Sequence, residues 1–202
     1  MARPVPPTIA LRRTVSSDVE ALYRIGIDEQ SNELAGTKPR EWSEFQARWR
    51  DILDDADGTA TGVVPRVILA DGVLAGSINI FPQDGIESLG YWIAREHWGR
   101  GIASEAVRLM LDEHARRPLH ATAAGHNLAS IRVLVRNGFE IVSRAMTPET
   151  DRARAREPRM TAHRKTKVTV SREPSSPGPV HTAEGSGPAM PAIGPRSKPS
   201  AR

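Results

Sequence analysis

The stretch HWGRGIASEA, residues 97–106, constrains the fold of this chain more than any other. It follows the apolar run LGYWIA (89–94) and precedes an amphipathic segment, so it joins a strand to a helix. A glycine inside a helix costs about 1 kcal/mol relative to alanine. Two glycines flanking Arg100 therefore mark a place where the backbone itself is needed. At a helix N-terminus, unpaired N–H groups point outward and the macrodipole leaves about half a positive charge. Bare backbone plus Arg100 reads as a cradle for a phosphate or pyrophosphate, and a purely structural turn is an equal reading of these residues alone. It is not a P-loop, because no Gly-Lys-Ser/Thr follows, and G-x-G-x-x-G is absent too.

The rest of the chain supplies the elements around that turn. TIALRRT (8–14) reads as a short strand. A helix follows from Ser17, which forms a capping box with Glu20 and turns Val19, Leu22 and Tyr23 inward. SNELAGTKPR (31–40) reads as a polar loop, and EWSEFQARWRDIL (41–53) as a second helix whose aromatic stripe is core. RVILADGVLAGSINIF (66–81) is a hairpin turning at Asp71-Gly72, and ESLGYWIA (87–94) a further strand. From about 100 to 116, Ile102, Ala106, Leu109 and Met110 have helical spacing. LHATAA (119–124) is a strand, NLASIRVLVRNGF a helix stopped by Gly138, and FEIVS a strand. The order β-α-α-β-β-β-α-β-α-β specifies one mixed α/β (α+β) domain.

Charge divides the chain. Of the net +4, residues 151–202 hold eleven basic and four acidic side chains, leaving residues 1–150 at −3. The alkaline character therefore belongs to the last quarter and says nothing of the body. That quarter has seven prolines in its final 32 residues and few large apolar side chains, a composition that builds no core. The expected organisation is a flexible 1–7, a domain over 8–150 and a basic, disordered tail over 151–202. Cysteine is absent, which excludes disulfides, thiolate metal sites and a cysteine nucleophile. His114, His120 and His126 lack zinc spacing, so no metal is expected. No apolar run nears the ~20 residues that span a bilayer, and the N-terminus lacks the apolar core of a secretory signal. The expectation is a cytoplasmic protein with no membrane partner.

LGYWIAREHWGRGIASEAVRLML followed by HNLASIRVLVRNGFEIV resembles the GNAT superfamily of acetyl-CoA-dependent N-acetyltransferases, most of all the branch that acetylates N-termini of ribosomal proteins. The likeness covers roughly residues 8–145. The family's Gln/Arg-x-x-Gly-x-Gly/Ala pattern falls on Trp98, Gly101 and Ala103, with Trp98 departing from the usual first residue. The resemblance implies a mostly antiparallel central sheet flanked by about four helices. It implies acetyl-CoA as co-substrate, its pyrophosphate on Gly99, Arg100, Gly101, Ile102, Ala103 and Ser104. Its pantetheine arm would pair with Trp92, Ile93 and Ala94 on a strand splayed by a bulge. Asn127 and Ser130 match the family's Asn-x-x-Ser beside the thiol.

Acetyl transfer to a primary amine then runs by direct attack in a ternary complex, since no cysteine is present to carry the acyl group. An α-amino group, with a pKa near 8, needs less help than a lysine near 10.4. Glu87 is the candidate base, with a solvated strand end as its other reading. Relatives use a tyrosine of the later helix to protonate the thiolate. Tyr23 and Tyr91, the chain's two tyrosines, lie elsewhere, so Ser130 substitutes. Lys38 and Arg40 fall on the acceptor side, where they would meet an acidic group.

The acceptor is expected to be a protein N-terminus or a small-molecule amine, and the protein a monomer or homodimer. Two alternatives stand beside this reading. One is a catalytically weak CoA-binding regulatory module, suggested by the missing tyrosine and by RARAREPRMTAHR, which falls where the family has its final strand and reads equally as a charged edge strand or an unpaired, disordered segment. The other is a nucleic-acid adaptor acting through the tail.

Overall fold

The computed structural model describes residues 5–55, 57–83, 85–146 and 158–164. Seven strands form one sheet: β1 (Ile9–Arg13), β2 (Val64–Ala70), β3 (Val73–Gln83), β4 (Ile86–Ile93), β5 (Leu119–Ala124), β6 (Glu140–Met146) and β7 (Pro158–Arg164). Their spatial order is β1-β2-β3-β4-β5-β7-β6. Every pairing is antiparallel except that of β4 with β5. Five α-helices accompany them among the described residues: α1 (Val19–Gly26), α2 (Glu29–Ala35), α3 (Trp42–Asp54), α4 (Ile102–Glu113) and α5 (Leu128–Arg136). The expected mixed, mostly antiparallel architecture is present.

Local chemistry sets the first four strands. Asp71 and Gly72 adopt φ of 51° and 83°, both left-handed, which closes β2 onto β3 with the twist a two-residue hairpin needs. The Asp71 carboxylate accepts the Thr8 N–H at 2.8 Å, fixing the start of β1 beside the same turn. At Gly76 a Cβ would stand 2.0 Å from the Trp92 carbonyl oxygen, so glycine alone lets β3 lie this close to β4.

The two faces of the sheet bury different helices. Against Ile68, Ile78, Ile80 and Leu89, α4 packs Ile102, Ala106, Val107, Met110 and Leu111. Leu109, expected in that stripe, is half-buried, and Val107 and Leu111 take its place. Each large aliphatic side chain withdrawn from water contributes about 1.5–3 kcal/mol. The face therefore outweighs the cost of the glycines at its start. The other face holds α1 and α3, where Val19, Leu22, Trp49 and Ile52 cover Val63 and Val67.

Several sequence expectations need correction. Residues 31–40 are not simply a polar loop, because α2 occupies their first half. The Asp28 carboxylate caps it by accepting from the Ser31 N–H and Oγ, and Gly36 ends it at φ 61°. The Ser17–Glu20 capping box does not form. Residues 16–18 make a 3₁₀ turn, and buried Asp18 accepts the Val15 N–H and both arms of the Arg12 guanidinium. Glu20 pairs instead with Arg24, one turn further along α1.

The domain also runs beyond 150: β7 forms, with register to β5 and β6 on either side. The arginines of 152, 154 and 156 and the expected disordered tail from 165 onward lie outside the described residues. Within β7 the strand begins after that arginine alternation, and its Ala162 is buried between neighbours.

Candidate active site

β4 and β5 are the only parallel pair among the described residues, and they touch over just two positions, Ser88↔His120 and Leu89↔Ala121. Beyond Leu89 they part. No bulge in β4 causes this, contrary to expectation, since its register with β3 runs unshifted from Gln83↔Ile86 to Gly76↔Ile93. β4 stays with β3 while β5 follows β7, to which it is paired along its whole length. The gap is a cleft of about 1130 Å³, bounded by the glycine turn, by both diverging strands and by the start of α5.

The exposed edge of β4 can be read group by group. The Trp92 carbonyl faces β3, and the Ala94 N–H donates to the Ala75 carbonyl at 2.8 Å. Alternation then turns the backbone groups of Tyr91 and Ile93 toward the gap. Of the three residues expected to pair with a pantetheine arm, Ile93 alone presents main chain to the cleft, and Tyr91 joins it. Even there the Ile93 carbonyl is occupied, because the Trp98 indole N–H donates to it at 2.8 Å. Trp98 thus ties the turn to the end of β4. Trp92 contributes its side chain to the cleft wall, and Ala94 is buried.

Both glycines of the turn are left-handed, Gly99 at φ 75° and Gly101 at φ 78°, a conformation that side chains with a Cβ rarely adopt. The space a Cβ would enter is open at both positions. The first helical bond runs from the Glu105 N–H to the Gly101 carbonyl. From Gly99 to Ser104 the backbone N–H groups have no hydrogen-bond partner among the described residues. These donors border the cleft at the positive end of α4, which fits a pyrophosphate. Arg100 differs from the other turn residues: its guanidinium contacts His97 Nδ1 at 3.2 Å and lies 3.9 Å from Asp71, outside the cleft wall. Ser104 is held through Asn137, whose Nδ2 donates to both its carbonyl and its Oγ.

At the start of α5, Asn127 Oδ1 accepts the Ser130 N–H at 3.0 Å, so Asn127 is the helix cap. Ser130 Oγ stands 2.9 Å from the hydroxyl of Tyr91, which reaches it from β4 across 39 residues of sequence. Burial raises the Tyr91 phenol above its ordinary value, with the Ser130 hydrogen bond opposing, so it stays protonated at neutral pH. The family resemblance implies a tyrosine on the later helix; the fold delivers one from the strand.

Glu87 is not brought to this group. It shares a face of β4 with Tyr91 but lies four residues nearer the start of the strand, where it meets His114 Nε2 at 2.9 Å and Arg116 at 3.3 Å. Burial pushes its carboxyl up, but His114 and Arg116 outweigh that and hold it below the usual carboxylate range. A carboxylate so paired is a poor proton acceptor, and it does not line the cleft. Arg40 lines the cleft, whereas Lys38, half-buried nearby, does not. The lip opposite the strands includes α2, through Ser31, Leu34 and Ala35. Arg95 anchors α2 to the turn by reaching Asp28 at 3.5 Å and Gln30 at 3.4 Å. No cluster of three or more potential metal ligands occurs among the described residues.

Comparison with known proteins agrees with this geometry. The profile of the acetyltransferase (GNAT) domain matches residues 8–140. The chain belongs to the GNAT acetyltransferase family. GNAT domains are acetyl-CoA-dependent acyltransferase domains, and acetyl-CoA is the co-substrate that the bare turn fits. Among solved structures, Mycobacterium smegmatis RimJ in complex with CoA-disulfide aligns at a TM-score of 0.62 and 23% identity, over 81% of this chain and 84% of that one. RimL, a ribosomal L7/L12 alpha-N-protein acetyltransferase solved with coenzyme A, aligns at 0.65 and 20% identity, over 80% and 96%. A probable N-acetyltransferase of Bacillus subtilis, YjcK, is 36% identical over 78 residues, 35% of this chain. The match spans 43% of that relative's length. No helix among the described residues is long and apolar enough to cross a membrane.

Proposed function

We propose that this GNAT protein transfers the acetyl group of acetyl-CoA to a primary amine by direct attack. The observation that carries the reading is the Tyr91–Ser130 pair, 2.9 Å apart, at one end of a cleft whose other end is the unpaired N–H turn. Gly99 and Gly101 to Ser104 hold the diphosphate, Tyr91 and Ile93 offer main-chain partners to the pantetheine, and Asn127 fixes the first turn of α5. The acceptor nitrogen attacks the thioester carbon, and the C–S bond breaks as the amide forms. Ser130 gives its proton to the departing sulfur, whose pKa is about 8.5, Tyr91 replaces that proton through the same hydrogen bond, and Tyr91 regains a proton from water, so that the proton lost by the nitrogen balances the one gained by the sulfur. The nitrogen loses its proton to water. Glu87 takes no part.

The two features that favoured a binding-only module lose their force in this reading, since Tyr91 supplies the missing hydroxyl and β7 completes the sheet. A cytoplasmic location suits this reading, because acetyl-CoA is available there. It is tested by following free thiol when the full chain meets acetyl-CoA and an amine panel of N-terminal peptides, polyamines and aminoglycosides. Amine-dependent thiol release, with a 42 Da mass gain on the amine, is the expected result. A folded protein that acetyl-CoA stabilises against heat, but that releases no thiol with any amine, would leave only the binding role.

A further inference from the structure

A second, smaller cavity of about 260 Å³ lies on the α1 and α3 side of the sheet. It shares a wall with the cleft: Arg40, Asn79, Phe81 and Trp92 line both. Strand alternation explains why. Ser77, Asn79 and Phe81 of β3 face the same side as Trp92 of β4, opposite to the side on which α4 packs. An amine approaching the thioester from the face not filled by α4 passes this cavity.

Its polar content is unusual for a space walled by Tyr23, Phe45 and Trp49. Arg40 and Arg48 both line it, and neither forms an ion pair among the described residues. Burial, and then the nearby charge of Arg48, lower the Arg40 pKa, with Glu44 opposing weakly. Two like charges held together beside aromatic rings are unfavourable unless an anion joins them. Asn79 stands in the same wall.

We infer that the acceptor is an amine carrying an oxyanion, which Arg40 and Arg48 bind. The aromatic rings bury the carbon frame beside that anion. The cavity suits a compact group, such as one amino-acid residue, and its charge disfavours polycationic amines. This inference rests on the acetyl-transfer reading for the identity of the reacting group.

The experiment compares matched amines with the full chain and acetyl-CoA: phenylalanine against phenylalaninamide, peptides beginning with Asp against Asn, phosphoethanolamine against ethanolamine, and spermidine as the cationic extreme. The anionic member of a pair is expected to have at least about tenfold higher kcat/KM, as one charge-assisted hydrogen-bonded pair provides. The first two pairs report a carboxylate and the third a phosphate. In Arg40→Gln and in Arg48→Gln the ratio within the preferred pair falls toward one, with heat stabilisation by CoA showing that each variant is folded. Equal or inverted ratios, or ratios untouched in both variants, overturn the inference and leave acetyl transfer standing. Should no amine turn over, calorimetric titration of the same pairs onto CoA-saturated protein decides the matter. A preference for the anionic member that Arg40→Gln removes upholds the charge selection and removes the transfer reading, and no preference removes both.

Discussion

The turn end of the cleft and its acceptor end are built from different materials. Between Gly99 and Ser104 the groups offered are main-chain N–H donors from one continuous stretch, and the side chains matter mainly by being small or turned away. At the proposed acceptor end the groups offered are side chains, Arg40, Arg48 and Trp92, drawn from the loop before α3, from α3 itself, and from β4. Main-chain recognition depends on backbone conformation and tolerates sequence change wherever φ is preserved. Side-chain recognition depends on which residue types the fold happens to gather.

That contrast can be broken most severely at Gly101. Valine there would have to hold φ near 78°, a left-handed conformation that costs a β-branched residue at least 1–2 kcal/mol, and its side chain would enter the open cleft. Loss of two charge-assisted N–H bonds at about 1.5–3 kcal/mol each predicts at least a hundredfold weaker CoA binding by calorimetry, with the circular dichroism of the fold retained. Unchanged affinity would move the diphosphate elsewhere.

The boundary between the two ends is tested next. Ser130→Ala should lower kcat by about a hundredfold, within the range typical of proton-transfer groups, with little change in the KM for acetyl-CoA. Tyr91→Phe keeps the ring and removes the hydroxyl that orients Ser130, and a fall of about tenfold in kcat is expected. Equal rates in both variants and the native protein would make the pair structural.

Glu87→Gln sharpens the comparison through its small effect. Activity should stay within about twofold of the native protein, while stability at pH 7 drops by about 1 kcal/mol through weakened pairing with His114 and Arg116. The folded-state carboxyl of Glu87 is depressed, so its stabilisation is present above the ordinary glutamate value of about 4.3 and disappears as pH falls through the folded value. Native and variant melting temperatures should therefore converge in acid. A large loss of kcat with an altered acidic limb of the pH profile would restore Glu87 as the base.

Much of the architecture was legible along the chain because each element carries its own punctuation. Asp71-Gly72 encodes the hairpin, Gly138 stops α5, and Gly99 and Gly101 announce the strand-to-helix turn, all through φ values that glycine and aspartate favour locally. α2 escaped notice because its signals, the Asp28 cap and Gly36, flank only seven mostly polar residues, too few for an apolar stripe. In the sequence β7 cannot be told from an unpaired segment, because arginine-rich flanks mask a strand that is stabilised by partners on both sides.

What the sequence by itself determined is the backbone half of this protein: the order of elements and the bare turn, both written in short-range conformational preference. Only the tertiary structure decided the side-chain half. Alternation along β4 sends Glu87 to one face and Trp92 to the other, and the crossover that brings α5 beside β4 sets Tyr91 against Ser130. Register and crossover are properties of strand pairing over distance, so the residues they bring together carry no common mark in the chain.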